Sequence, residues 1–210
     1  MKEEKISIPC GEIQLEGLLS VIEALSVKGT VILCHPHPLY GGDMDNAVIT
    51  TAAEAAFEEG LSTLRFNFRG VGGSGGSCGE GFEEREDVRA AIDFAVARLK
   101  GLSAGLIVAG YSFGAWAGMP VAVEDPRING MVAISPPLEL YDFGFLKGSK
   151  KKKLLVAGSR DDYCPAPRLK EFYEDLDEPK SLAVIPGADH FYWDYDSALI
   201  TPLREFFKNI

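Results

Sequence analysis

The chain has 210 residues, the size of one ordinary α/β domain, and 21 Lys and Arg against 31 Asp and Glu give it a net charge of −10. That balance argues against a protein that grips phosphate backbones or anionic membranes, which need clustered positive charge. Hydrophobic residues at 46% and charged residues at 25% argue against disorder, and folding at this length buries roughly 70% of the extended surface, enough for a core without staples.

Taken in chain order, Ile6–Ile8 and Ile13–Val21 read as two opening antiparallel strands. Thr30–Cys34 is a buried strand that runs into the loop His-Pro-His-Pro-Leu-Tyr-Gly-Gly. Asn46–Glu59 has helical spacing, with Asp43 or Asp45 as its cap and Gly60 just past its end. Ser62–Phe68 is the next strand, and the glycine-rich segment Arg69–Gly81 follows it. Glu83–Lys100 carries the clearest helical stripe, Val88, Ala91, Ile92, Ala95, Val96 and Leu99, closed by Gly101. Leu106–Gly110 reads as a strand, Phe113–Val123 as a helix and Ile128–Ser135 as another strand. Pro120 falls inside that helix, where a kink is expected. Leu154–Gly158 and Leu182–Ile185 are the last strands, separated by a helix marked by Leu169, Phe172, Tyr173 and Leu176. Thr201-Pro202 reads as the cap and first position of a closing helix.

Strand and helix alternate throughout, and the inner strands are continuously apolar, as in sheets covered by helices on both faces. The fold class is therefore α/β, a single domain over residues 1–210 around a mostly parallel sheet of about eight strands. Ligands of such sheets bind beyond the carboxyl ends of the strands.

Only three histidines, His35, His37 and His190, are available for acid–base or metal chemistry. The four cysteines, Cys10, Cys34, Cys78 and Cys164, form no CxxC pair. The opening MKEEKISIPC lacks the pattern of a signal peptide, and no apolar run approaches about 18 residues. A reducing cytoplasm, free thiols and no membrane association are the expectation.

Gly110-Tyr111-Ser112-Phe113-Gly114 fits G-x-S-x-G where a buried strand turns abruptly into a helix. A serine on so sharp a turn adopts strained backbone angles and stands at a helix N-terminus, whose N–H groups favour a developing oxyanion. Serine needs a base that is itself oriented by a carboxylate. His190 lies just after the last strand, and Asp161 just after the strand before it, with Asp162 and Asp189 as competitors for the acid. The order Ser112, Asp161, His190 is the α/β-hydrolase order.

Along its whole length the chain resembles the α/β-hydrolases, and more narrowly the small lidless bacterial hydrolases related to dienelactone hydrolase. The resemblance rests on HPHPLYGGDMDNAV, RFNFRGVGGSGG, GYSFG, LYDFGFL and GADHFY. At the elbow this chain has serine where dienelactone hydrolase itself has cysteine. The resemblance implies an α/β-hydrolase fold, a Ser112–His190–Asp161 triad, and an oxyanion hole made by the backbone N–H of Phe113 and of His37. Pro36 and Pro38 carry no N–H, so the donors open to that loop are His37, Leu39 and Tyr40. It also implies a small acyl ester or thioester as substrate, and no metal or organic cofactor.

Other signals weigh less. Gly70-Val-Gly-Gly-Ser-Gly75 satisfies G-x-G-x-x-G, but no helix opens at once and no acid ends the next strand, so it reads as a structural loop with Arg69 held in local hydrogen bonds. His35 and His37 do not have the partners of a zinc site, and His35 reads as structural. Lys150–Lys153 reads as a solvated loop. Phe143, Phe145, Tyr163, Phe191, Tyr192 and Trp193 are candidates for an apolar acyl pocket or for the core. Only residues 136–151 separate two strands where family members carry a lid, so no sizeable lid fits. A peptidase or amidase with the same triad, or a silent binding module on this scaffold, are the alternative functions. A monomer or small homo-oligomer acting on a small molecule, without nucleic acid, is expected.

Overall fold

The computed structural model describes residues 2–22, 28–98 and 105–210. Its centre is an eight-stranded sheet in the order β1-β2-β4-β3-β5-β6-β7-β8. These strands are Glu4–Cys10 (β1), Ile13–Ser20 (β2), Gly29–Cys34 (β3), Leu61–Phe66 (β4), Gly105–Tyr111 (β5), Ile128–Ile134 (β6), Lys152–Gly158 (β7) and Lys180–Ile185 (β8). β1 and β2 are antiparallel to each other and β2 to β4, whereas every pair from β4 through β8 is parallel. The helices are Ala47–Glu58 (α1), Glu84–Arg98 (α2), Phe113–Glu124 (α3), Ala166–Glu174 (α4) and Ile200–Lys208 (α5).

The strand period of two sorts side chains between two cores. Val31 and Leu33 of β3, with Ile107, Ala109 and Tyr111 of β5, pack against α1 and α5. Ile32 and Cys34, with Val108, pack against α2 and α3 on the opposite face. Both faces are thus covered, which explains the unbroken apolar runs. β3 sits between β4 and β5, so successive connections leave it in opposite directions and open a crevice at the carboxyl ends of β3 and β5. Between β6 and β7 there is only a 3-10 turn at Gly144–Leu146, so the fold is lidless.

Several local expectations are corrected. α1 is capped by Asn46, whose side chain accepts from Val48 N–H, while Asp43 instead accepts from Asp45 N–H. The closing helix starts at Ile200, directly after a 3-10 turn over Asp196–Leu199, so Thr201-Pro202 lies inside its first turn; proline is tolerated there because those N–H groups have no intrahelical partner. Pro120 sits inside an uninterrupted α3. Leu99 and Gly101 fall outside the described residues.

The lysine run is not a solvated loop. Lys152 and Lys153 belong to β7, and Lys153 is buried with its ammonium on the carbonyls of Ser149 (2.9 Å) and Asp177 (2.7 Å). Lys151 closes the C-terminal end of α3 by donating to the carbonyls of Ala122 and Asp125, where a cation also meets the negative end of the helix dipole.

Candidate active site

The site begins with the elbow between β5 and α3. Ser112 has φ 53° and ψ −116°, and its N–H donates to Ile134 O of the next strand at 2.9 Å. The flanking glycines are required by space. A Cβ on Gly114 would stand 2.0 Å from the Cys34 carbonyl oxygen, and one on Gly110 would stand 2.4 Å from Gly114 O. Two strands and a helix therefore meet at backbone contact, and the serine is lifted out of the sheet.

Ser112 Oγ lies 2.9 Å from His190 Nε2. The other ring nitrogen, Nδ1, lies 2.9 and 3.0 Å from the two carboxylate oxygens of Asp161. A carboxylate only accepts, so Nδ1 carries the proton and Nε2 of the neutral ring is left to accept from the serine hydroxyl. Asp161 is buried, and its Oδ1 also accepts the backbone N–H of Tyr163 (2.9 Å) and Cys164 (2.8 Å). Burial alone would raise the Asp161 carboxyl; the bond from His190, with those from Ser135 and Cys164 N–H, holds it below the usual carboxylate range. Asp162 is exposed, and Asp189 accepts from Phe191 N–H, so Asp161 is the carboxylate that meets the ring.

The loop after β3 supplies the opposite wall. His37 caps a short 3-10 turn: its Nδ1 accepts from Leu39 N–H, and its carbonyl accepts from Tyr40 and Gly42 N–H. Leu39 and Tyr40 thus spend their donors inside the turn, while the His37 N–H does not take part in it. The His37 ring lies 4.6 Å from that of Phe113, the first residue of α3. Burial lowers the His37 pKa, with Glu84 opposing it.

His35 does other work. Fully buried, it donates from Nδ1 to Pro36 O (2.7 Å) and accepts Phe68 N–H at Nε2 (3.0 Å), and burial pushes its pKa down to about 4. Both nitrogens are committed, Nδ1 within its own loop and Nε2 in joining the end of β3 to the segment after β4. No group of three or more His, Cys, Asp or Glu side chains among the described residues is placed to hold a metal ion.

Ser112, His190, His37 and Phe113 line one cleft of about 240 Å³, walled further by Tyr40, Leu140, Tyr141, Tyr163 and Phe191. A wider groove of about 550 Å³ shares Leu140 and Tyr141 with it and contains none of those four. Residues 27–198 match the alpha/beta hydrolase domain family. The chain is an α/β-hydrolase. An uncharacterised protein of Rickettsia prowazekii is 37% identical over 195 residues, covering 86% of this chain and 82% of that one. An alpha-beta serine hydrolase homologue from Coxiella burnetii is 33% identical with a TM-score of 0.88, over 98% of this chain and 97% of its own. A serine hydrolase without a lid from Xanthomonas campestris is 27% identical with a TM-score of 0.87, over 100% and 95%.

The glycine-rich loop of this hydrolase is no phosphate cradle. Gly73 N–H donates to Glu16, and Gly79 and Gly81 N–H donate to the buried Glu84, so carboxylates already occupy amides that an anion would need. Arg69 is held on buried Asp87 through its backbone N–H, Nε and Nη2. Among the aromatic candidates, Tyr163 and Phe191 line the cleft, Phe143 and Tyr192 are buried, Phe145 packs on the core, and Trp193 is exposed.

Two buried tyrosines, Tyr111 of the elbow and Tyr192, moor the His190 loop. Tyr111 O–H donates to His190 O at 2.7 Å, and the Tyr192 hydroxyl lies 2.8 Å from Ser135 Oγ.

Proposed function

We propose that residues 1–210 form one domain that works as a serine hydrolase, cleaving carboxylic esters or thioesters of small acyl groups through an acyl-enzyme. The observation that carries this reading is the pair of 2.9 Å contacts at the two nitrogens of His190, one to Ser112 and one to Asp161, at the wall of an apolar-lined cleft.

In this mechanism the Ser112 oxygen attacks the acyl carbon while its proton passes to His190 Nε2. Asp161 keeps the proton on Nδ1 and stabilises the imidazolium. The carbonyl oxygen becomes an oxyanion held by the N–H of Phe113, at the positive end of α3, and by that of His37. His190 then gives its proton to the leaving alcohol or thiol as the C–O or C–S bond breaks. Water, deprotonated by the same nitrogen, attacks the acyl-serine, and Ser112 recovers its proton as the acid departs.

A lidless cleft of this size fits short or solvent-accessible acyl groups, and the net charge of −10 favours neutral ones. The four free thiols suit a reducing compartment, and we place the enzyme in the cytoplasm. A fluorophosphonate probe is expected to label the wild type and not Ser112→Ala, and p-nitrophenyl acetate and butyrate and an acyl thioester to be turned over only by the wild type. Labelling that survives Ser112→Ala overturns the assignment. Cleavage of an amide series faster than the matched esters moves it to a peptidase or amidase.

A further inference from the structure

Beyond the three residues of the proposed triad, a second chain of hydroxyls ends on the same acid. Ser135, at the carboxyl end of β6, is fully buried and has φ 44°; Tyr192, two residues after His190, is buried and has φ 56°. Both stand in the left-handed region that non-glycine residues rarely enter, and such strain persists only where the surroundings over-determine it. Their hydroxyl oxygens are 2.8 Å apart, and the Ser135 hydroxyl is one of the groups that hold the Asp161 carboxyl below its usual range. The directions follow from the acceptor. A carboxylate cannot donate, so a Ser135 hydroxyl that stabilises Asp161 does so by donating to it, which leaves Ser135 Oγ to accept the Tyr192 proton.

We propose that Tyr192 and Ser135 are positioning residues for the hydrolytic reaction, forming a one-way donor chain, Tyr192 to Ser135 to Asp161, that fixes the acid and moderates its hold on His190. The inference rests on the hydrolase reading. Tyr192 belongs to the same loop as His190, so one hydrogen bond sets the loop that carries the base against the strand end beside the acid. A buried chain of this kind is cooperative, since each donated bond strengthens the next.

The sign of the effect is set by Asp161. Each bond it accepts spreads its negative charge, so losing the Ser135 donor leaves a more basic carboxylate facing His190 Nδ1. Protonated His190 is then held more tightly, and the enzyme gives up that proton only at higher pH. The other ionisable groups around the pair are Tyr111 from β5, Tyr163 and Cys164 from the Asp161 loop, and Asp189 beside His190; Arg168 and Glu139 face Cys164. Burial pushes the Tyr111, Cys164 and Tyr192 pKa values up, so these groups stay neutral through the acid limb, and Asp161 is the charge that changes its hold.

The test compares Ser135→Ala, Tyr192→Phe and the double variant with the wild type. The readouts are kcat and KM on p-nitrophenyl acetate from pH 4.5 to 9, and the NMR titration of the His190 ring, one of only three histidines. Ser135→Ala is expected to lower kcat about tenfold at unchanged KM and to move the acid midpoint up by about half a pH unit. Tyr192→Phe, which removes one oxygen, is expected to do the same to a smaller degree. The double variant should be no worse than Ser135→Ala, because the chain is already cut. An acid midpoint that stays at the wild-type value in both single variants overturns the proposal, as does a double loss equal to the product of the single ones. The ring titration needs no turnover, so a wild type that ignores esters and fluorophosphonate refutes the hydrolase reading while the titration still decides this one.

Discussion

His35 makes the stability of this fold depend on pH in a window that can be calculated. In the unfolded chain its imidazole takes a proton near the ordinary value of 6.5; in the folded chain burial pushes that down to about 4. Between those values the unfolded chain binds more protons, so stability rises with pH: the contribution is complete above 6.5 and is lost as pH falls toward 4. At 1.36 kcal/mol per pH unit the whole contribution is about 3 kcal/mol, and about 2 kcal/mol of it is already gone at pH 5. His35→Gln keeps a donor for Pro36 O and an acceptor for Phe68 N–H but cannot titrate. Urea unfolding of both proteins at pH 8 and pH 5 isolates the term, because the other titrating groups are common to the two. The wild type should lose about 2 kcal/mol more than the variant over that interval. Equal losses would show that His35 is charged in the folded protein or already neutral in the unfolded one, and would refute the reasoning.

Other outcomes follow from the same contacts. Asp161→Asn should lower kcat by about 10³–10⁴-fold by losing the correct ring tautomer, whereas exposed Asp162→Asn should stay within a few-fold of wild type in the same ester assay. Gly114→Ala places a methyl 2.0 Å from the Cys34 carbonyl oxygen, so its melting temperature should fall further than the 1–3 kcal/mol of ordinary overpacking implies, a loss readable by circular dichroism. Lys153→Met strips a buried ammonium from the carbonyls of Ser149 and Asp177 and should cost about 2–3 kcal/mol in urea unfolding, while Lys150→Met, at the exposed end of the run, should cost under about 1 kcal/mol.

The fold was legible because burial on both faces leaves a mark along the chain itself, in apolar runs such as Thr30–Cys34 and Leu154–Gly158 with helical stripes between them. The meeting of Ser112, His190 and Asp161 was legible for a related reason: each follows directly on a parallel strand, and parallel strands deliver their ends to one edge. What escaped depends on partners distant in sequence. The acceptors of Lys151 and Lys153 lie on α3 and on the segment before β8, and no local pattern announces them. The α1 cap is Asn46, which helical spacing places as the first helical residue, and not Asp43 or Asp45, because the cap depends on how the loop after β3 enters the helix. Ser135 and Tyr192 carry ordinary residue types in positions whose backbone angles the sequence does not encode.

Strain also explains how a site without a lid can be held ready. Four non-glycine residues among those described have positive φ, namely Ser112, Ser135, Tyr192 and Asp194, and all lie on loops or turns at the carboxyl edge of the sheet. Each such residue costs on the order of 1–3 kcal/mol, which would favour relaxation if the loops were free. They are not free at their roots. Ser112 N–H donates to Ile134 O, Ser135 N–H to Val156 O and Ser159 N–H to Ile185 O, so the parallel ladder runs one residue past β5, β6 and β7 before the chain turns away. The serines at those three strand ends share one mode of anchorage, and Asp161 and His190 follow within a few residues of the last two ladder bonds. The sheet therefore fixes the elbow, the Asp161 loop and the His190 loop by the same hydrogen bonds that build it. Ser112 Oγ and His190 Nε2, already 2.9 Å apart, need no closing element to bring them together, which is how an open cleft can remain a preorganised one.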